Sequence, residues 1–298
     1  FYPMPLQGLW TADNGELPPW KGDYHHDLNT QLCYQSYGKA NHLDEGACFI
    51  DYLMKLAPQA EKFARTYYGT DGLCLPAVMD IRGEALGGWA MYSLSPTNQL
   101  WLCDIIFRHY EYTRDHAFLR DQAYPYVAKS MQNIMELLEE HDGKYYLPWS
   151  SSPEIHDCDK EAFMRPNTNY DLSLMRAALA GLIRYAGPAG RPQDVAKYQK
   201  VLDKLDPLAV SPDHVLMLDS KERLAESHRH HSHAMAIFPL RLLNYDRPED
   251  RTVIDATVAD LEKLGTRNWC GYSFAWMAQF YCVQRNGEKA ARILNQFW

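Results

Sequence analysis

The chain has 298 residues and carries 30 Lys and Arg against 38 Asp and Glu, which gives a formal net charge of −8. Its aromatic content of 13% excludes a disordered chain, because so much apolar surface must be buried. An acidic chain without a basic block is a poor candidate for nucleic-acid binding, and no run approaches the ~18 apolar residues of a membrane span. The seven cysteines show no C-x-x-C spacing, so they indicate neither a zinc ribbon nor a disulfide scaffold.

After an irregular opening over residues 1–40, apolar residues recur at helical spacing along most of the chain. Asp115 is a predicted N-cap, and Pro192 and Pro248 suit the first turn of a helix. No stretch alternates with a period of two over a useful length, so we predict an all-α fold. The predicted helices cover residues 43–68, 98–113, 115–141, 170–186, 192–205, 232–243, 248–264, 272–285 and 288–297.

Long polar loops interrupt these helices over residues 1–40, 69–97, 142–169 and 206–231. Paired helices with one elaborated end are typical of an (α/α)6 toroid, in which long loops line a cleft at one mouth. About nine helices are visible where six pairs would need twelve, so we expect the toroid to be incomplete at one or both ends.

The first candidate loop is Asp23–Gln31, which reads Asp-Tyr-His-His-Asp-Leu-Asn-Thr-Gln. Five of its side chains can exchange protons, others form hydrogen bonds, and Trp10 and Trp20 lie just upstream. The alternative is a solvated loop in which Asp27 or Asn29 caps a helix near Thr30.

Two further loops carry polar groups. In Trp149–Glu154, the carboxyl of Glu154 is a candidate general acid if apolar neighbours such as Trp149 raise its pKa; the alternative is an exposed turn residue. In His228–His233, four histidines at i, i+2, i+3 and i+5 do not place three imidazoles on one face, so we favour polyol binding over a metal site. The alternative there is helix capping by Ser232, with the histidines packed between loops.

Other chemistries lack their motifs. The glycines at 83, 87 and 88 do not have the spacing of a dinucleotide or phosphate loop, and no Gly-x-Ser-x-Gly elbow occurs. Asp27 and Glu154 remain, in separate loops, and paired carboxylates in an aromatic cleft are the minimal equipment for glycoside hydrolysis.

In this order the motifs resemble the helical catalytic domain of glycoside hydrolase family 95, the inverting α-L-fucosidases and α-L-galactosidases. The resemblance covers nearly the whole chain and implies one partial toroidal catalytic domain over residues 1–298, with β-rich domains flanking it in a full-length protein. The matching segments are Leu6–Trp10, Pro18–Trp20, Asp23–His25, Trp101–Leu119, Ser152–Glu154 and His228–His233.

The resemblance implies that Glu154, in the "SPE" motif, is the general acid. In the family, an Asn-x-Asn pair orients the attacking water and an Asp in a later "DGNFG" loop polarises that pair. Here Asn29 keeps the second Asn, Asp27 replaces the first, and the later loop is expected beyond Trp298. Two alternatives stay open: Asp27 is itself the base, roughly 6.5–9.5 Å from Glu154, or the later carboxylate is needed.

The resemblance also implies a sugar-binding set. His25 stands where the fucosidases carry His and the L-galactosidases carry Thr, near the C5 substituent of the sugar, which favours L-fucose. Arg229 and His230 match residues that hold sugar hydroxyls, and Trp89 offers an aromatic wall. The resulting hypothesis involves no cofactor and no metal.

The sequence therefore predicts an exo-acting hydrolase that releases a terminal α-L-fucose-type sugar from an oligosaccharide or polysaccharide with inversion. The alternatives are an α-L-galactosidase or related deoxy-sugar hydrolase, another toroid enzyme such as a lyase, and a non-catalytic carbohydrate-binding protein. The resemblance implies a periplasmic or extracellular location, and the sequence indicates no oligomeric state.

Overall fold

A computed structural model describes residues 2–8, 16, 19–157, 159–164 and 167–297, apart from the side chains of Pro19 and Tyr92. Leu9, Trp10 and Pro18, which belong to the matching segments given above, lie outside the described residues, as does one of the seven cysteines, Cys158. The chain forms two compact units. Unit 1 comprises Phe1–Pro148 and Ala177–Leu205, and unit 2 comprises Trp149–Arg176 and Asp206–Trp298.

Unit 1 holds most of the described helices and both described pairs of strands. Its helices are α1 (Asn29–Tyr34), α2 (Leu43–Lys55), α3 (Ala57–Phe63), α4 (Ala90–Ser93), α5 (Asn98–Thr113), α6 (His116–Phe118), α7 (Tyr124–Leu137), the second half of α8 (Asn169–Tyr185) and α9 (Val195–Lys204). Its strands are β1 (Tyr24–His25), β2 (Val78–Met79), β3 (Glu139–His141) and β4 (Lys144–Tyr146), paired antiparallel as β1–β2 and β3–β4.

Helix α5 forms the centre of unit 1. Leu100, Trp101, Ile105 and Ile106 on this helix are all at most 1% exposed, so it is enclosed on every side. A helix buried all round packs against several neighbours rather than along one stripe, and α5 contacts α1, α2 and α7. The surrounding helices show one buried face, which is why their apolar spacing predicts them well.

Unit 2 contains the first half of α8 together with α10 (Pro248–Leu264), α11 (Gly271–Val283) and α12 (Gly287–Asn295). Helices α11 and α12 pack against each other, and Trp276 and Phe280 of α11 are at most 2% exposed. Between α9 and α10 the described chain runs mainly through turns, with one 3₁₀ turn at Ser232–Ala234.

The predicted helices agree with the structure except over 232–243 and at the end of the range 115–141, where Glu139–His141 form strand β3. Helices α5 and α10 coincide with the predicted ranges, and Asp115 caps α6 through a hydrogen bond from the Phe118 N–H (3.0 Å). The predicted helix over 232–243 is wrong, because only the turn at Ser232–Ala234 forms. Pro239 removes one N–H from that segment, and its buried apolar residues pack as successive turns instead.

Helices dominate both units and the described strands are two or three residues long, so the all-α prediction is confirmed. Among the described helices, none combines the length and apolar character needed to cross a bilayer.

Candidate active site

The Asp23–Gln31 loop of unit 1 is fixed by its own backbone. Strand β1 pairs with β2, and the His26 N–H beyond it donates to the Ala77 carbonyl (2.7 Å). The Thr30 hydroxyl donates back to the carbonyl of His25 (2.7 Å). These bonds hold the loop against the strand and thereby determine where its side chains lie.

Several polar side chains of this loop are buried, among them Asp23, His25 and Asp27, which are 5%, 7% and 3% exposed. Nε2 of His25 lies 3.1 Å from a carboxylate oxygen of Asp23. The alternative reading of the loop as helix capping is wrong, because Leu28 is the N-cap of α1 and no side chain caps that helix. Burying carboxylates costs free energy, so the buried carboxylates of this loop lower the stability of the fold in a way that a solvated turn would not.

His26, the neighbour of His25, is 1% exposed. Burial, and to a smaller extent the charge of His25, lowers the pKa of His26 to about 3, so its ring is neutral at physiological pH. The proton-exchanging groups of this loop are therefore its other side chains.

Trp89 belongs to a segment attached to the same strand as the loop. The Leu86 N–H donates to the Val78 carbonyl (3.1 Å), and the Ala77 N–H donates to the Ser93 carbonyl (3.0 Å). Trp89 is partly exposed between these two attachments and follows Gly88, whose φ of +117° suits glycine. The structure thus places Trp89 and His25 on segments that share β2.

In unit 2, a buried polar network anchors the segment that leads to Glu154. The carboxylate of Asp171, on the first turn of α8, accepts hydrogen bonds from the Ser150 hydroxyl (2.6 Å) and the Ser151 N–H (3.1 Å). The Thr168 hydroxyl donates to the Ser151 carbonyl (2.8 Å). Ser150 and Asp171 are both 0% exposed, so the segment is held without competition from water.

Glu154 lies within a turn closed by the Ile155 N–H, which donates to the Ser152 carbonyl (3.1 Å). Its backbone has φ of +59°, a left-handed conformation that is uncommon outside glycine and concentrated at functional sites. The side chain is 15% exposed, so the alternative of an exposed turn residue is wrong.

Two basic side chains lie beside the carboxylate of Glu154. The guanidinium of Arg229 forms an ion pair with Oε2, and Nε2 of His230 lies 2.9 Å from the same oxygen. His230 is 2% exposed while the Arg229 side chain is 38% exposed, so the pair has one buried and one accessible partner. The structure therefore brings together three of the predicted site residues.

The pKa of Glu154 follows from this environment. Burial by itself raises the pKa, but the pairing with His230 and the charges of His230 and Arg229 outweigh it, so the pKa lies below its usual value. The expectation that apolar neighbours such as Trp149 raise this pKa is wrong. The Trp149 side chain is 63% exposed, and the groups beside the carboxylate are Arg229 and His230.

His231, another histidine of the 228–233 loop, packs among aromatic rings. His231 is 0% exposed, and its ring centroid lies 4.9, 5.7 and 5.8 Å from those of Trp269, Trp276 and Phe280. Burial lowers the pKa of His231 well below its usual range, so this ring is a neutral part of the core. The Ser232 hydroxyl contacts the Ser152 hydroxyl (2.7 Å) and caps no helix, contrary to the capping alternative.

The start of helix α11 holds Arg229 in place. The Ser273 hydroxyl donates to the Arg229 carbonyl (2.7 Å) and accepts a hydrogen bond from the Cys270 N–H (3.3 Å). The ring of Tyr272 lies edge-on to His230, with centroids 5.7 Å apart. Burial raises the pKa of Tyr272 above its usual range, so its hydroxyl stays protonated and available as a donor.

Sequence reasoning missed Asp171, Tyr272 and Ser273. Asp171 stands in the first turn of a helix, where an acidic residue is ordinary, and nothing local shows that it binds a segment twenty residues earlier. Tyr272 and Ser273 begin a predicted helix far along the chain from Glu154, so only the fold reveals their place beside Arg229 and His230. The catalytic and binding roles of Glu154, Asp27, Asn29, His25, Trp89, Arg229 and His230 stay predictions.

A helical chain whose loops bury carboxylates beside histidine and arginine is compatible with the class of helical carbohydrate-active domains. A family model described as "Glycosyl hydrolase family 95 catalytic domain" matches residues 1–298, and the chain belongs to that family. A solved structure titled "Putative kojibiose phosphorylase from human microbiome" superposes over 100% of this chain and 44% of its own, with a TM-score of 0.67 and 13% identity. At that identity the likeness shows the fold alone; with the family match it confirms the predicted (α/α)6 toroid class.

Two relatives with curated names match the sequence. "Alpha-L-fucosidase 2" of Arabidopsis thaliana is 28% identical over 309 residues, which cover 98% of this chain and 35% of the relative. "Probable alpha-fucosidase A" of Aspergillus niger is 26% identical over 162 residues, covering 51% of this chain and 20% of the relative. The chain thus spans about a third of the length of the plant relative.

The buried network at Ser150 generates a stability prediction. The Asp171→Ala variant leaves the Ser150 hydroxyl and the Ser151 N–H without their buried acceptor, which costs about 1–3 kcal/mol for each group. We expect the free energy of unfolding, measured by urea denaturation, to fall by at least ~2 kcal/mol. Asp246→Ala is the control, because this exposed carboxylate pairs with Arg285 at the surface and should change stability by less than ~1 kcal/mol. Equal losses in both variants would contradict the network.

Proposed function

We propose that the chain is the catalytic domain of an exo-acting glycoside hydrolase that releases a terminal α-L-fucose-type sugar from an oligosaccharide or polysaccharide with inversion. The observation that carries the proposal is the Glu154 carboxylate, 15% exposed and paired with Arg229 and His230 in the loops of unit 2. Membership of the family and the printed names of both relatives support the activity and the sugar.

In the proposed reaction, Glu154 gives its proton to the glycosidic oxygen as the bond from that oxygen to C1 breaks. A water molecule attacks C1 from the opposite face and loses a proton to the base, so the product anomer is inverted. Glu154 must hold a proton before this step, although its cationic neighbours favour the ionised form. Sugar hydroxyls that engage Arg229 and His230 draw these groups away and cover the carboxyl, and both changes favour the protonated acid.

We propose Asp27 as the base, helped by Asn29. A carboxylate accepts a proton from water more readily than the amide oxygen that the family carries at this position. Asp27 is 3% exposed and lies in a loop fixed to β2, so its carboxylate is held in place before substrate arrives. The competing possibility is that the base is a carboxylate outside this chain, and the Asp27→Asn variant distinguishes the two.

The sugar is proposed from the unit 1 loop. His25 stands at the position that favours L-fucose, and its ring is oriented by Asp23, 3.1 Å away. Trp89 is proposed as an aromatic wall, since sugar rings present flat C–H faces to aromatic side chains. Periplasmic or extracellular secretion and a role in polysaccharide degradation belong to the same proposal, and the secretion rests on the family resemblance alone.

The Glu154→Gln variant tests the acid. A glutamine keeps the shape of the side chain but cannot deliver the proton, and general acid catalysis contributes about 10²–10⁴-fold. We expect wild-type full-length protein to release β-L-fucose from α-L-fucosyl oligosaccharides in a proton NMR time course, and the variant to be slower by about 10³-fold.

Substrates with different leaving groups provide the control for this variant. α-L-Fucosyl fluoride needs little protonation of its leaving group, so the variant should hydrolyse it at a rate close to that of wild type. Equal loss on both substrates would refute the acid role, and α-L-fucose as first product would refute inversion. Binding without turnover by wild type would leave a carbohydrate-binding protein.

The Asp27→Asn variant decides between the two candidate bases, because it places at position 27 the amide that family 95 carries there. If Asp27 is the base, turnover falls by about 10²–10⁴-fold. Azide, which attacks C1 without needing a base, should then restore turnover and give β-L-fucosyl azide, identified by NMR. Unchanged turnover in Asp27→Asn would instead place the base in a carboxylate outside this chain.

A further inference from the structure

Trp149 in unit 2 presents a large aromatic face to solvent. Its side chain is 63% exposed, although a tryptophan is among the side chains whose burial stabilises a fold most. The indole rests on the ring of Phe163, with centroids 5.6 Å apart and an interplanar angle of 84°. Edge-to-face packing of this kind supports the indole while leaving its flat surface uncovered.

The platform of Trp149 and Phe163 is rigidly joined to the segment that carries Glu154. The Met164 N–H donates to the Ser150 carbonyl (2.8 Å), which ties the residues next to both rings together. Ser150 is in turn anchored by Asp171. An exposed aromatic side chain on so fixed a backbone loses little conformational entropy when a ligand stacks on it.

The loop between Glu154 and Phe163 borders an open recess of about 750 Å³, lined by His156, Asp157, Asp159 and Glu161. This volume lies within the range of small-ligand sites, about 300–1,000 Å³. The three carboxylates accept hydrogen bonds from hydroxyl groups but repel anions, while Nε2 of His156 lies 2.8 Å from Glu222. An aromatic platform on a segment that also carries acidic acceptors suits a neutral sugar and disfavours a uronic acid.

We infer that Trp149, supported by Phe163, is a binding subsite for a neutral pyranose ring on the leaving-group side of the bond that is cleaved. The inference rests on the proposed function, because it takes Glu154 as the acid that protonates the leaving oxygen. The leaving-group sugars begin at that oxygen, and Trp149 precedes Glu154 by five residues, at most about 18 Å of chain. The turn at 152–155 shortens this distance, so the platform lies within the reach of the next few sugar rings.

The test compares two substrates on the full-length protein and on Trp149→Ala. An α-L-fucosylated trisaccharide of neutral sugars has rings for the platform, whereas α-L-fucosyl fluoride has none. We expect kcat/KM of Trp149→Ala to fall about tenfold on the trisaccharide, chiefly through KM, which corresponds to about 1.4 kcal/mol. Hydrolysis of the fluoride should be unchanged, which also shows that the variant is folded.

Two further variants sharpen the comparison. Trp149→Phe keeps an aromatic face and should retain most of the activity on the trisaccharide. Tyr67→Ala is the matched control, because this half-exposed ring also rests on a phenylalanine, with centroids 5.3 Å from Phe63, but belongs to the helical region of unit 1. It should behave like wild type on both substrates.

Each other outcome has a definite meaning. Equal losses on both substrates in Trp149→Ala would overturn the subsite, because the residue would then support the fold or the reacting sugar. Unchanged kinetics on both would overturn it as well. A wild-type protein that cleaves neither substrate would overturn the proposed function, and the inference with it, which differs from failure of the subsite alone.

Discussion

The proposed chemistry of unit 2 depends on the pairing of the Glu154 carboxylate with Arg229 and His230. A carboxylate that is 15% exposed loses much of its hydration, and the two neighbouring cationic or hydrogen-bonding groups replace what water no longer supplies. The same pairing lowers the pKa of the carboxyl, so the free protein stores Glu154 in its ionised form. Chemistry that requires a proton on this group must therefore be coupled to binding.

The surrounding structure keeps both sides of this pairing in place. On one side, Asp171 anchors the serines that precede Glu154, through the Ser150 hydroxyl at 2.6 Å. On the other side, Ser273 holds the carbonyl of Arg229 at 2.7 Å. These supports come from the first turns of two different helices, α8 and α11, so helix packing in unit 2 determines the geometry of the loops. When the side chains of a site are positioned before the ligand binds, less free energy is lost in ordering them on binding.

Sequence reasoning recovers the helices and the chemical candidates but not their partners. Helix 248–264 is predictable from its apolar spacing and from Pro248 in its first turn, whereas the predicted helix at 232–243 fails because Pro239 interrupts a segment whose apolar residues pack in turns. Glu154 stands out in its motif, yet the sign of its pKa shift depends on Arg229 and His230, which only the fold brings beside it. The local sequence pattern indicates the helical period and the capping residues. Contacts between distant segments can be identified only from the tertiary structure.

The pKa of Glu154 in the free and the ligand-bound protein is the measurement that bears most directly on the proposed coupling between protonation and binding. Carbon-13 NMR of the glutamate carboxyls in full-length protein, assigned by comparison with Glu154→Gln, would give the titration with and without a thio-linked α-L-fucoside that resists hydrolysis. We expect a pKa below the usual 4.5 in the free protein and a higher value when the ligand is bound, because the sugar hydroxyls take up Arg229 and His230. A pKa that stays the same or falls on binding would contradict the account.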